Sequence, residues 1–268
     1  YSQKHSMTHL IHSNQMVRSQ NSPRRTLPKM TKGYIYVASL RKDYYIAAKK
    51  SAESLKDFYP EANVTLFTHA DWVELDDYKL FDQIRTHDGL GNDMPMNNRA
   101  KLWALSTSPY DVTMYLDCDT MIEHEDIRYA FDHLKDNDVI FTLNRPYNAK
   151  ITKLNDDESM KYHCGIFVYR KNKATTKLMD DWYKYYLIQS APMHDVSPYP
   201  ESVKPWDTFT MWYLLNKTAH KDTVTVGEFE SPDARWNFVV GQKPEELDGT
   251  EVIIRHYLLN RHIDKWKH

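Results

Sequence analysis

Apolar residues along this chain follow two periods that take turns. Tyr34 to Ala38 and Val64 to Thr68 are short apolar runs, and between them Tyr45, Ala48, Ala52, Leu55 and Tyr59 recur at helical spacing. Short runs suit buried strands, whereas the wider spacing puts one apolar stripe on a helix. The segment therefore predicts strand, helix, strand. Further on, a helix is expected from about Asn98 to Thr107, a strand that ends at Asp117, a helix from near Glu125 to Leu134 and a strand over Val139 to Leu143. Another strand follows over Gly165 to Tyr169, then a helix from about Lys173 to Ile188. Ala191 to Pro205 holds four prolines and shows no period; a helix resumes over Trp206 to Asn216, and Val252 to Arg255 is a last strand before a basic, aromatic tail. Repeated alternation predicts an α/β fold with a mainly parallel central sheet covered on both faces, and no internal repeat is visible. A loop as long as 191–205 inside a compact domain is more often functional than idle.

Composition narrows this picture. With 268 residues and 41% hydrophobic content, the chain has material for a sizeable core, and a single domain over residues 30–268 is expected. Residues 1–29 carry Lys4, Arg18, Arg24, Arg25 and Lys29 but no acidic residue and no apolar face, so they are expected to form a disordered basic leader. A net charge of -2 leaves no global footprint for nucleic acid, and no apolar stretch approaches membrane-spanning length. Cys118 and Cys164 are the only cysteines, which argues against a disulfide framework and favours a reducing, cytoplasmic setting. Two tripeptides with the glycosylation pattern, Asn63-Val64-Thr65 and Asn216-Lys217-Thr218, point the other way and leave a lumenal fragment of a longer membrane protein open.

The densest chemistry lies where Val112 to Leu116 runs into Asp117-Cys118-Asp119. Ligands of open α/β sheets bind beyond the carboxyl ends of strands, so two hard oxygen donors fall where a substrate belongs. A second Asp-x-Asp, Asp136 to Asp138, precedes its apolar run and so belongs to a turn at a strand's starting end. Carboxylates that hold a cation beside a sheet suit a diphosphate substrate. An aspartyl-phosphate enzyme of the haloacid dehalogenase type would need Thr where Met121 stands, and a nucleotidyltransferase would want a Gly-rich phosphate loop in a chain that has 7 glycines. Transfer of a sugar from a nucleotide sugar fits best.

Several segments, in order, carry a specific resemblance. Lys101-Leu102-Trp103 followed by Tyr115-Leu116-Asp117-Cys118-Asp119-Thr120, the opening Tyr34 to Ala38 with Ala52 to Leu55, Cys164 to Tyr169, Trp206-Asp207-Thr208, Arg255-His256-Tyr257 and Lys265-Trp266 resemble the glycogenin-like branch of GT-A glycosyltransferases, from about Gly33 to Trp266. The resemblance implies a Rossmann-like, three-layer α/β/α GT-A fold. It implies that Asp117, Asp119 and His256 hold Mn²⁺ or Mg²⁺, that Ala38, Lys101, Asp117 and Lys265 contact a nucleoside diphosphate sugar, most simply a UDP-linked one, and that Asp207 and Lys101 lie at the transferred sugar. It also favours retention of anomeric configuration, although Asp207 or Glu201 could serve an inverting enzyme as base. The acceptor is open: a carbohydrate, a protein or a modified DNA base. Also open are a catalytically silent domain that binds sugar nucleotide or glycan, a core role for His256, and a plain helix-start role for Asp207.

Overall fold

The computed structural model describes residues 30–87, 98–145, 153–155, 158–257 and 259. Lys265 and the basic leader, both singled out by the sequence, lie outside these residues. Strand β1 (Lys32–Val37) feeds helix α1 (Lys42–Phe58), which returns to β2 (Val64–Thr68); helix α2 (Asp77–Leu80) leads to β3 (Gln83–Thr86). Helix α3 (Arg99–Ser106) then precedes β4 (Val112–Leu116), a short β5 (Thr120–Ile122) and β6 (Val139–Leu143). After the small hairpin β7 (Lys153–Asn155) and β8 (Glu158–Ser159) come β9 (Tyr162–Arg170), α4 (Lys173–Gln189), α5 (Asp207–Lys217), the four-residue helix α6 (His220–Thr223) and three short strands, β10 (Val226–Glu228), β11 (Phe238–Val239) and β12 (Ile254–His256).

Seven strands form the central sheet in the order β10-β6-β9-β4-β1-β2-β3. β1 pairs in parallel with β2 and β4, β2 with β3, and β10 with β6; β9 alone runs antiparallel to both its neighbours. Strand period decides which layer each residue joins. In β1 and the residue after it, Tyr34, Tyr36 and Ala38 pack with α1, whereas Ile35 and Val37 pack on the face that α3 and α4 cover. The same split divides Ile166 and Val168 from Phe167 and Tyr169 in β9. Two apolar layers thus sandwich the sheet, as the three-layer expectation requires.

Three elements differ from the sequence pattern. The expected helix from Glu125 to Leu134 is a 3-10 helix that starts with His124 Nδ1 accepting the Asp126 N–H at 3.1 Å and stops at Lys135, whose φ is 46°. The strand expected over 165–169 starts earlier, at Tyr162, because β6 on one side pairs with its first residues, Tyr162 and His163, which periodicity does not reveal. The last strand is shifted to Ile254–His256, which makes His256 a paired strand residue. The proline-rich 191–205 segment is compact: Val196 and Val203 are buried with Phe209 and Trp212, and Tyr199 stands edge-on to both rings at 5.2 and 5.4 Å.

Candidate active site

β4 delivers Asp117 to the carboxyl edge of the sheet, where the Asp117 N–H still bonds to the Gly165 carbonyl at 2.8 Å. Past that point the chain turns. Cys118 points back into the core and its thiol donates to the Val37 carbonyl at 3.1 Å, while Thr120 Oγ1 donates to the Asp117 carbonyl at 2.8 Å. Burial pushes the Cys118 thiol well up, so it is packing rather than a nucleophile. With Cys118 turned inward, Asp117 and Asp119 are left partly exposed at the edge of the sheet.

His256 joins them across 137 residues through a second, three-stranded sheet, β11-β12-β5. β12 runs antiparallel to β5 with His256 opposite Thr120, and the Tyr257 N–H bonds to the Asp119 carbonyl at 2.7 Å. His256 Nε2 then lies 3.3 Å from Asp119 Oδ1 and 3.7 Å from Asp117 Oδ2. Among the described residues, these three are the group whose donor atoms, all within 4.8 Å of one another, could share one cation. Two carboxylates and an imidazole are a donor set that Mn²⁺ accepts readily and Mg²⁺ accepts less well, because Mg²⁺ prefers oxygen. The other ring nitrogen is taken: His256 Nδ1 meets Asn237 Oδ1 at 3.0 Å. The residues present therefore fit a divalent cation.

Charges in this pocket shift each other. Burial lowers the His256 pKa, but the charge and hydrogen bond of Asp119, with Asp117 behind them, win and raise it above the ordinary value. Asp117 goes up as well, since burial outweighs the help it receives from Lys101 and His256. Beside them His163, its ring perpendicular to His256 at 5.3 Å, is held well below the ordinary value by burial and by the positive charges of His256, Lys101 and Arg145. Its Nδ1 accepts the Gly165 N–H at 3.0 Å.

Lys101 enters from α3 and is 8% exposed. Its Nζ lies 2.7 Å from Asp207 Oδ2 and 3.6 Å from Asp117 Oδ1, donates to the Cys164 carbonyl at 2.8 Å, and sits 4.6 Å above the Tyr115 ring. Burial opposes the ammonium, yet Asp117 and Asp207 hold its pKa above the ordinary value. Asp207 opens α5, its other oxygen accepting the Thr208 N–H at 2.9 Å. Ala38 is fully buried at the end of β1, its N–H on the Phe67 carbonyl and its own carbonyl 3.0 Å from His87 Nε2. The structure thus brings Lys101, Asp117, Asp119, Asp207 and His256 into one cluster, with Ala38 just past the end of the neighbouring strand β1.

Three further residues shape the site and were given no role in it by the sequence. Tyr115 donates to Asp117 Oδ1 at 2.7 Å. Gly165 leaves room that a side chain would take: a Cβ there would lie 2.3 Å from Asp117 Oδ2. Asn237 binds the back of His256 from a turn that the Arg145–Asp233 ion pair holds at 3.0 Å. A signal existed for the last, since an Asn inside Trp236-Asn237-Phe238-Val239 is a polar group in an apolar run and needs buried partners. The Asp136 to Asp138 motif is structural, as its position implied: Asp138 accepts from the Thr225 N–H at 2.8 Å and from Asn172 Nδ2 at 2.5 Å, tying β10 and α4 to the sheet.

No protein-family model matches the sequence, and no curated protein matches it. Solved structures do match in shape. The glycosyltransferase GlyE of Streptococcus pneumoniae TIGR4 superposes with a TM-score of 0.56 over 85% of this chain and 54% of its own, at 12% identity. The apo bifunctional glycosyltransferase WbbM gives 0.54 over 86% of this chain and 46% of its own, also at 12% identity. The fold is of the GT-A type. The galactosyltransferase LgtC, solved with donor and acceptor sugar analogs, aligns over 84% of this chain and 87% of its own at 13% identity, with a TM-score of 0.49. The chain spans about half the length of GlyE and less than half of WbbM. Identity this low speaks for the fold alone, and chemistry must be argued from the cleft. Among the described residues no helix is long and apolar enough to cross a membrane.

Proposed function

We propose that this chain is a metal-dependent glycosyltransferase of the glycogenin-like branch, which moves a sugar from a nucleoside diphosphate sugar, a UDP-linked one by resemblance, to a carbohydrate or protein acceptor. The observation that carries the reading is the meeting of Asp117, Asp119 and His256 at the carboxyl end of a central strand, with the buried Lys101–Asp207 pair beside them. Asp117, Asp119 and His256 would hold Mn²⁺ or Mg²⁺, which supplies charge stabilisation for a diphosphate leaving group. Asp119 is fixed for this by the Leu259 N–H, which donates to its Oδ2 at 3.0 Å. Tyr115 and Lys101 share the task of holding Asp117 Oδ1, so that Oδ2 faces His256. Lys101 also anchors Asp207: its ammonium holds the buried Oδ2, while Oδ1 accepts the Thr208 N–H. A carboxylate engaged at both oxygens is not free to serve as the base an inverting enzyme needs, which agrees with the retaining outcome that the resemblance favours. Lys265 belongs to the reading as the expected diphosphate contact.

A panel of nucleotide sugars tests the proposal, each offered with Mn²⁺ and with Mg²⁺ and scored by thermal shift and by released nucleotide. One donor is expected to raise Tm and to turn over only when the cation is present. Full turnover in excess chelator sinks the metal-dependent reading, and no response to any donor sinks the transferase itself.

A further inference from the structure

His256 presents its two ring nitrogens to different surroundings, and a chain of hydrogen bonds behind the ring decides which one carries the proton. The Ile166 carbonyl can only accept, so the Thr142 hydroxyl gives its single proton there, at 3.1 Å. Thr142 Oγ1 is then left with lone pairs alone for its other neighbour. Asn237 Nδ2 donates to it at 3.0 Å, and this fixes which way the Asn237 amide faces. Its Oδ1 is turned to His256 Nδ1 at 3.0 Å. An amide oxygen accepts only, so Nδ1 carries the proton and, in the neutral ring, Nε2 keeps a bare lone pair. That lone pair faces Asp119 Oδ1 at 3.3 Å and Asp117 Oδ2 at 3.7 Å. Three electron-rich atoms converge, which suits a cation between them.

Thr142, Asn237 and His256 are 0%, 1% and 4% exposed, so bulk water does not compete for these bonds. Each member has one orientation that satisfies its neighbours, and reversing any of them leaves a buried donor facing a donor or an acceptor facing an acceptor. We propose that Asn237, itself oriented by Thr142, is the positioning residue that holds His256 in its Nδ1–H tautomer and so makes Nε2 a metal ligand. This rests on reading Asp117, Asp119 and His256 as a cation site. Asn237 does not touch the cation; it acts through the ring, as partners behind metal-bound histidines commonly do.

Two measurements on the full chain test this, one of which needs no metal. In metal-free protein labelled with ¹⁵N-histidine, at a pH where the ring is neutral, the His256 proton is expected on Nδ1. In Asn237→Leu the acceptor is gone, and the proton is expected to move to Nε2, where Asp119 accepts it. Mn²⁺ titration should then show an affinity about 10–100-fold weaker for Asn237→Leu. Asn237→Asp keeps an acceptor at the same place and should restore both the tautomer and an affinity close to that of the wild type, which a merely space-filling role does not explain. Thr142→Val, close in shape, gives the same contrast through the amide's lost orientation if Asn237→Leu does not fold. A proton on Nε2 of the wild type, or wild-type Mn²⁺ affinity in a folded Asn237→Leu, overturns the proposal while leaving the cation site standing. A wild type that binds neither Mn²⁺ nor Mg²⁺ overturns the cation-site reading, and the proposal with it.

Discussion

At the scale of single residues, the cleft depends on a few atoms whose replacement has distinguishable outcomes. Asp119→Asn removes the charge of a proposed ligand without removing its shape, so donor hydrolysis and its cation dependence should be lost while the melting curve moves little; urea unfolding beside the activity assay checks both. Gly165→Ala is the reverse case, a change that adds only a methyl group. With 2.3 Å between that methyl and Asp117 Oδ2, the carboxylate must turn away, and Mn²⁺ affinity should fall although no ligand has been altered. A metal titration of the alanine variant reads this directly, and unchanged affinity means that Asp117 does not bind the cation through its present rotamer. The pH dependence has a definite sign. With His256 as a ligand, proton and cation would compete for its Nε2, and in the metal-free protein Asp119 and Asp117 raise the pKa of that imidazole above its ordinary 6.5 despite burial. Apparent Mn²⁺ affinity should therefore start to fall while pH is still above 6.5, by about tenfold per unit below the raised pKa, and level off on the alkaline side. Titrations from about pH 5.5 to about 8.5, a range that brackets the histidine, check it. An affinity independent of pH would remove His256 from the ligand set.

At the scale of elements, the short β5–β12 pairing brings His256 to the two aspartates and the 191–205 segment leads into Asp207. His256 reaches the two aspartates because β12 zips against the three residues that follow Asp119. A pairing this short is held by its neighbours, chiefly the bonds that tie Asn237, Gln242 and Arg145 around β11. The proline-rich segment runs into Trp206 and Asp207, and the Gln189 amide NH2 shares its two protons among the Val203, Lys204 and Trp206 carbonyls, at 3.1, 3.0 and 2.9 Å. It is thus anchored at the Asp207 end, with Tyr199 packed on Phe209 and Trp212 further back. Binding of donor and cation should order its exposed part and protect it from proteolysis. Trp206→Ala should lower transfer to the acceptor more than nucleotide binding, because that residue sits where the segment joins the Lys101–Asp207 pair. Cleavage at the same rate with and without donor, and a constant ratio of transfer to donor hydrolysis in the variant, make the segment a simple connector.

At the scale of the whole molecule, the described fold is closed at its start by Thr31, whose N–H and hydroxyl both donate to Asp111 Oδ2, at 2.8 and 2.9 Å. Removal of residues 1–29 leaves that clasp in place, so folding and donor hydrolysis should be nearly unchanged; loss of transfer alone would assign the basic segment to the acceptor. What the sequence determined by itself is everything that local period encodes. Alternation of strand and helix, the apolar stripe of α1, the run of β4 into two aspartates and the turn character of Asp136 to Asp138 are all written within a few residues, because side-chain direction repeats every 2 residues in a strand and every 3.6 in a helix. What only the tertiary structure decided is anything that needs two distant segments to meet. The antiparallel insertion of β9, the placement of His256 opposite Thr120, the burial of Lys101 between Asp117 and Asp207 and the Asn237 bond behind His256 all join residues far apart in the chain. The physical reason is that hydrogen-bond direction and electrostatic partners are set by packing after the chain has folded back on itself, and residue order along the chain carries no record of that distance.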